Sequence, residues 1–197
     1  DPWYREYRFM AAENYSKPYP RPFPCGSVLL GFDLRNAELL GHKLDISNGL
    51  CEVYLLTSEG NKIKLQLFTD MKEDKLWIRL VDDKDNLVSN IFDRVRIMPD
   101  PSTPSEFPSY NSEEDLSGGI LSFRQILPYQ EPDKYDPVKG HPKDKAFRLT
   151  ARVSCSLEKT TRINWDGNPE KMRNLEGSFV NKESFVGSVS IEEGLNS

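Results

Sequence analysis

Apolar and polar side chains alternate with a period of two residues in four separate stretches of this 197-residue chain. These stretches cover residues 61–70, 75–82, 147–157 and 185–191. Successive side chains of a strand point to opposite faces of its sheet, so this period predicts strands with one face in a core and the other in water. A helical period is absent, and we expect at most one helical turn, at 170–175. The chain is therefore predicted to be all-β.

Turn-forming sequences separate these strands. Ser-Glu-Gly-Asn at 58–61 predicts a hairpin between strands 51–57 and 62–69. Ser-Asn-Gly at 47–49 predicts another turn, and Asp-Asp-Lys-Asp-Asn at 82–86 ends the strand that precedes it. Short strands with closely spaced turns are typical of an antiparallel β-sandwich, which is the fold that we expect here.

Three proline-rich stretches interrupt this rhythm. Segments 99–119 and 128–145 each contain four prolines, and we expect them to form long loops on either side of a strand at 120–127. In 15–24, prolines alternate with other residues, which predicts an extended segment along a sheet edge. Because chains of this length often form one sandwich, we expect a single β-sandwich domain over residues 1–197.

The charge of the chain argues against nucleic acid as a partner. The net charge is −5, and the 26 basic residues are scattered among 31 acidic ones, whereas a duplex-binding surface clusters its Lys and Arg. No apolar run approaches the ~20 residues of a membrane-spanning helix, so no transmembrane segment is predicted. We interpret the start at Asp1, without Met, as the result of removing an export signal.

The three cysteines, Cys25, Cys51 and Cys155, match no metal-binding spacing. Cys51 and Cys155 each lie in an apolar strand pattern, and free cysteines are among the most buried residue types. We therefore expect buried thiols. One disulfide with a leftover thiol is the alternative.

No catalytic residue, metal site or cofactor is predicted from the sequence. Only two histidines are present, His42 in a predicted strand and His141 in a loop, and there is no Gly-x-Ser-x-Gly turn. A nucleophilic triad needs a base within hydrogen-bond reach of the nucleophile, and a zinc site needs clustered ligands. A glycosidase would need two carboxyl groups ~5–10 Å apart, and sequence alone cannot pair carboxylates across a sandwich.

The aspartates of segment 82–86 resemble the start of a calcium-binding loop. From Asp83, however, the sixth position is Val88 and the twelfth is Arg94, where an EF-hand requires Gly and Glu. We therefore predict a solvated hairpin turn here, and a solvated acidic face at 113–115.

Aromatic side chains in loops are the candidate carbohydrate-binding residues. Trp165 lies in the turn-like sequence Asn-Trp-Asp-Gly, and Tyr110, Tyr129 and Tyr135 lie in the two long loops. Such rings combine a large apolar face with a polar edge, which suits sugar rings. The alternative is that they pack their own loops onto the sandwich. Trp77 lies within a strand, and we interpret it as structural.

Several stretches have a familiar order. Pro-Phe-Pro-Cys-Gly-Ser-Val-Leu-Leu-Gly-Phe-Asp at 22–33 precedes Leu-Asp-Ile-Ser-Asn-Gly at 44–49, followed by the strand patterns at 60–70 and 75–80. This succession resembles the N-terminal β-supersandwich domain of glycoside hydrolases of the family 65 and family 95 type, including α-L-fucosidase-like enzymes. Gly-Ile-Leu-Ser-Phe-Arg-Gln at 119–125 and the strand that begins at Ala146 are similar to its second half, so that about three quarters of the chain is covered.

The resemblance implies an exported glycan-degrading hydrolase of a type common in gut Bacteroides-like bacteria. It implies location in the periplasm, at the outer surface or outside the cell. The catalytic carboxylates of such enzymes lie in an (α/α)6 barrel that follows this domain, so none can be assigned to a position in this chain. We expect a non-catalytic domain that packs against its own downstream barrel through an apolar patch, with its loops shaping the glycan cleft. The alternatives are an independent carbohydrate-binding module and a structural or interaction domain without a ligand.

Overall fold

The structure is a computed structural model that describes residues 25–99, 111–127, 145–160 and 175–195, together with Arg5. The described part is nearly all β, as the alternation predicts. No helix within it has the length and apolar character needed to cross a bilayer. Its strands are β1 Ser27–Gly31, β2 Ala37–Asp45, β3 Leu50–Thr57, β4 Lys62–Asp70, β5 Lys75–Asp82, β6 Arg94–Met98, β7 Asn111–Asp115, β8 Ile120–Ile126, β9 Lys145–Val153, β10 Leu157–Lys159, β11 Leu175–Phe179 and β12 Val186–Leu195.

In the described part of the chain, two antiparallel sheets of unequal size form the sandwich. The small sheet has four strands in the order β1-β6-β11-β10. The large sheet has eight strands in the order β2-β3-β4-β5-β12-β9-β8-β7. The predicted antiparallel β-sandwich is therefore confirmed. Four strands cannot cover the whole inner face of eight.

The core lies between the two sheets. Phe123, Phe185, Leu80 and Ile97 are its largest fully buried side chains. The ring of Phe185 meets that of Phe92 edge to face, with the centroids 4.9 Å apart. Aromatic pairs favour this geometry because a positive ring edge then faces a negative ring face. The orientation of these two rings therefore stabilises the core in addition to the burial of their apolar area.

The predicted hairpins are confirmed where the turn chemistry is strongest. Strands β4 and β5 coincide with the alternating stretches to within one residue, and β8 coincides with the strand predicted at 120–127. Gly60 and Gly49 close the turns before β4 and β3 with φ of 83° and 71°. A side chain is strained in this left-handed region, so glycine suits both turns.

The stretch 147–157 does not form one strand, and this prediction is wrong. Strand β9 ends at Val153 in the large sheet, and β10 begins at Leu157 in the small sheet. The alternation continues across the break because Cys155, only 1% exposed, and Leu157 both point into the core between the sheets. Alternation reports which side chains are buried, but it does not report which sheet holds the strand.

The interpretation of the cysteines as core thiols is confirmed for Cys155. Cys25 and Cys51 are only half-buried, and all three thiols are free, which contradicts the alternative of one disulfide. Burial raises the pKa of the Cys155 thiol above its usual range, because a thiolate loses more hydration than a thiol.

The first long loop also contains a strand that was not predicted. Strand β7 pairs with β8 at one edge of the large sheet, and Leu116–Gly119 form the turn between them. The polar sequence of β7 carries no apolar alternation, but an edge strand needs only one ladder of backbone hydrogen bonds. The prediction for 15–24 lies outside the described residues. The same holds for the predicted long loop at 128–145 and helical turn at 170–175, except for their last residues, Lys145 and Leu175, which begin β9 and β11.

Candidate functional site

All four aromatic candidates for carbohydrate binding lie outside the described residues. They are Trp165, Tyr110, Tyr129 and Tyr135, and they stay predictions. Trp77 lies within β5 on the outer face of the large sheet, which is the face turned away from the core. It is half-buried there, directly opposite Phe68, and the Lys75 amine lies 5.8 Å from the centroid of its ring.

The inner face of the large sheet loses its cover towards β2. Leu44, Cys51, Leu67 and Ile78 pair in register across β2, β3, β4 and β5, so that all four side chains lie on one face. Ile78 is 6% exposed, Cys51 and Leu67 are half-buried, and Leu44 is 58% exposed. The small sheet thus covers β5 and leaves the β2 side of the same face open.

A second row of paired residues shows the same gradient. Leu80 is fully buried, its neighbours Leu65 and Val53 are half-buried, and His42 on β2 is exposed. We call the uncovered region the β2–β4 apolar surface and define it by the inner-face residues Leu39, Leu44, Cys51, Val53, Leu65 and Leu67. The exposed side chains of Ile46 and Met71 lie in the two hairpin turns at one end of it.

The outer face of β3, β4 and β5 carries a hydrogen-bonded network centred on Gln66. Gln66 is 4% exposed, and its amide nitrogen donates to a carboxylate oxygen of Glu52 at 2.9 Å. Its amide oxygen accepts from Nε of Arg79 at 2.8 Å. The hydroxyl of Tyr54 donates to the second oxygen of Glu52 at 3.0 Å. Both polar ends of a buried amide are therefore satisfied.

The turn after β5 adds the Asp85 carboxylate to this network. Lys64 Nζ lies 2.8 Å from the Asp85 carboxylate and 3.5 Å from that of Glu52. Asp85 has a φ of 62°, a left-handed conformation that aspartate tolerates better than most residues. Asp82 is occupied within its own turn, because it accepts from the backbone nitrogens of Lys84 and Asn86. The prediction of a hairpin turn is confirmed, and the described residues contain no cluster of three metal-ligating side chains.

The carboxylates of this network are held in their ionised form. The hydrogen bond from Gln66 is the main cause of the lowered pKa of Glu52, and the hydrogen bond from Lys64 does the same for the pKa of Asp85. A glycosidase needs one carboxyl group with a raised pKa that can donate a proton near neutral pH. Glu52 and Asp85 are shifted in the opposite direction, so this network favours ion pairing over acid catalysis.

A polar cleft of about 920 Å³ opens at the end of the large sheet where the hairpin turns 58–61 and 82–86 lie side by side. Asp83, Lys84 and Asn61 contribute polar groups, and Ile63 and Val88 contribute apolar ones. Its volume is in the range of small-molecule sites, and its mixed lining suits a ligand that carries hydroxyl groups on an apolar ring.

The alternation alone placed Lys64 and Gln66 on the polar face of β4, but it could not show that Gln66 is buried. That burial depends on the register with β3 and β5, which brings Glu52 and Arg79 to either side. No protein-family model matches the chain, and a search of curated proteins found no similar sequence.

Proposed function

We propose that this chain is a non-catalytic β-sandwich domain of an exported glycoside hydrolase and that it packs against the downstream catalytic barrel. The observation that carries the proposal is the rise in exposure from Ile78 to Leu44 along one row of the inner face. Apolar side chains on a sheet face that the second sheet leaves open are suited to a further packing layer.

The shape of β2 favours packing onto the face of the sheet over addition of a strand to its edge. The pairing of β2 with β3 shifts register between Leu39 and Gly41, a bulge that interrupts the ladder. Glu38 and Lys43 add charge to the same edge strand. Bulges and charges of this kind discourage edge-to-edge pairing of sheets. A partner would therefore meet the β2–β4 apolar surface face on, as a helical barrel with apolar outer positions can.

The proposal predicts two results for the complete gene product. Its sequence should continue into a long helical region, and Leu44→Asp should uncouple the unfolding of the sandwich from that of the barrel. Leu34→Asp is the matched control, because Leu34 is also a highly exposed leucine, 80% exposed, in the turn before β2 and outside the surface. Differential scanning calorimetry of the three proteins distinguishes one joint transition from two separate ones. A gene product without a helical continuation, or identical behaviour of both variants, contradicts the proposal.

An independent carbohydrate-binding module is the second candidate, and the polar cleft supports it. If sugars bind there, Asp83→Ala and Asn61→Ala should each weaken glycan binding on an array, and Trp165→Ala should not. If the loop aromatics bind instead, Trp165→Ala should abolish the signal. An array on which the chain binds no glycan contradicts this second candidate altogether.

A further inference from the structure

A small polar cavity of about 290 Å³ lies where β8, β9 and β12 run side by side near one end of the large sheet. Arg124 on β8 pairs in register with Arg148 on β9, and Arg148 pairs with Glu192 on β12. These three side chains lie on the outer face, and all three line the cavity. It is separate from the β2–β4 apolar surface, which lies on the other face and at the opposite edge of the sheet.

Arg124 carries a buried donor with no acceptor. Its Nη2 atom is buried and has no hydrogen-bond partner, and the described residues provide no carboxylate that forms an ion pair with Arg124. Glu192 lies two strands away from it. A guanidinium group stays charged at any physiological pH, so a buried nitrogen without an acceptor is unfavourable until an acceptor arrives.

The chemistry of the lining indicates which acceptor fits. The lining also contains the carboxylates of Glu192 and Glu193, and the donor without a partner is Nη2 of Arg124. A guanidinium group presents planar, forked donors, and such a fork matches the paired oxygens of a carboxylate, sulfate or phosphate group. The cavity is close to the lower limit of small-ligand sites, which leaves room for one anionic group and a small part of the molecule that carries it.

We propose that this cavity binds an oxyanion group of a small ligand, with Arg124 as the principal contact. Anion binding at this cavity is independent of the proposed packing of the chain against a barrel. Acidic sugars and free inorganic anions are both sources of such a group, and they share the oxygen pair that the guanidinium would bind.

The test is to titrate the chain with sodium sulfate, sodium glucuronate and glucose at constant ionic strength. Binding is measured by isothermal titration calorimetry and by NMR of the arginine side chains. Binding of either anion should be saturable, and glucose should not bind. Arg124→Gln should weaken anion binding at least about tenfold, and Arg124→Lys, which keeps the charge but loses the fork, should give an intermediate affinity. Sulfate binding alone would identify an inorganic anion as the ligand, and glucuronate binding would extend the site to acidic sugars.

The matched control is Arg152→Gln. Arg152 is an exposed arginine on the same face of β9 and does not line the cavity, so its removal changes the net charge equally. It should leave the affinity unchanged. Absence of saturable binding by both anions overturns the proposal, as does equal weakening by Arg124→Gln and Arg152→Gln, which would indicate a general charge effect. Circular dichroism of each variant shows that it is folded before its affinity is compared.

Discussion

Gln66 and Arg79 lie directly opposite each other on β4 and β5, and Nε of Arg79 donates to the amide oxygen of Gln66 at 2.8 Å. The same amide donates to Glu52 on β3, so one buried side chain joins three strands. Gln66→Ala should lower the free energy of unfolding by ~1–3 kcal/mol, because it leaves the partner groups of the network without their hydrogen bonds. Urea denaturation followed by circular dichroism measures the change.

Lys62→Ala is the control for that measurement. Lys62 is exposed on the same face of β4, and its replacement should change the free energy of unfolding by less than ~0.5 kcal/mol. If the two variants are equally stable, the network contributes nothing beyond ordinary solvated side chains.

The hydrophobic core should be far more sensitive at Phe185 than the outer face is at Phe68. Phe185 is fully buried and packs against Phe92, whereas Phe68 is exposed on β4. Phe185→Ala should cost ~3–5 kcal/mol of unfolding free energy, because it removes apolar contacts and leaves a cavity. Phe68→Ala should cost less than about 1 kcal/mol by the same urea measurement. Similar losses of unfolding free energy in both variants would contradict the position of Phe185 in the core between the two sheets.

A strand could be predicted from the sequence where burial of its side chains holds it in place. Strands β4 and β5 were predicted to within a residue, because both have one face in the core and so display the alternation directly. The end of β9 at Val153 was not predictable, because Cys155 and Leu157 keep facing the same core after the chain changes sheets. Strand β7 was missed because its stability comes from backbone pairing with β8, which leaves no trace in side-chain hydrophobicity.

The candidate site was less predictable than the fold for a related reason. The burial of Gln66 and the exposure of Leu44 both depend on residues that are distant in sequence. Gln66 needs partners on β3 and β5, and Leu44 is exposed because the small sheet ends before it reaches β2. A pattern within one strand identifies the apolar face, but the partner that covers it is set by the tertiary structure.

Asp33 should titrate well below an ordinary aspartate. Hydrogen bonds from the Arg35 side chain and then from its backbone lower the pKa of Asp33 from 3.8 to about 2. A carboxyl group whose folded-state pKa is lowered stabilises the fold above its unfolded pKa, and that contribution is lost as the pH falls from about 4 towards 2. NMR titration of the Asp33 carboxyl carbon should give a midpoint near 2, and Arg35→Gln should move it back towards 3.8. An unchanged midpoint in Arg35→Gln would show that Arg35 is not the cause.

The three thiols should differ in reactivity towards a disulfide reagent such as DTNB. All three should react after unfolding without prior reduction, since each is free. In the folded chain Cys155 should react only as fast as the protein unfolds, because it is buried and its pKa is raised. Cys51→Ser should remove one of the faster phases and leave the slowest unchanged. Fewer than three thiols in the unfolded, unreduced protein would demonstrate a disulfide.

The packing of the β2–β4 apolar surface against a partner domain is tested most directly by hydroxyl-radical footprinting with mass spectrometry. The rate of oxidation of Leu44 and Met71 is compared between this chain alone and the complete gene product, with Leu34 as the internal control. All three are exposed here and should be oxidised readily in the chain alone. We expect strong protection of Leu44 and Met71 in the complete gene product and no protection of Leu34. Oxidation of Leu44 at the same rate in both proteins would contradict the proposed packing.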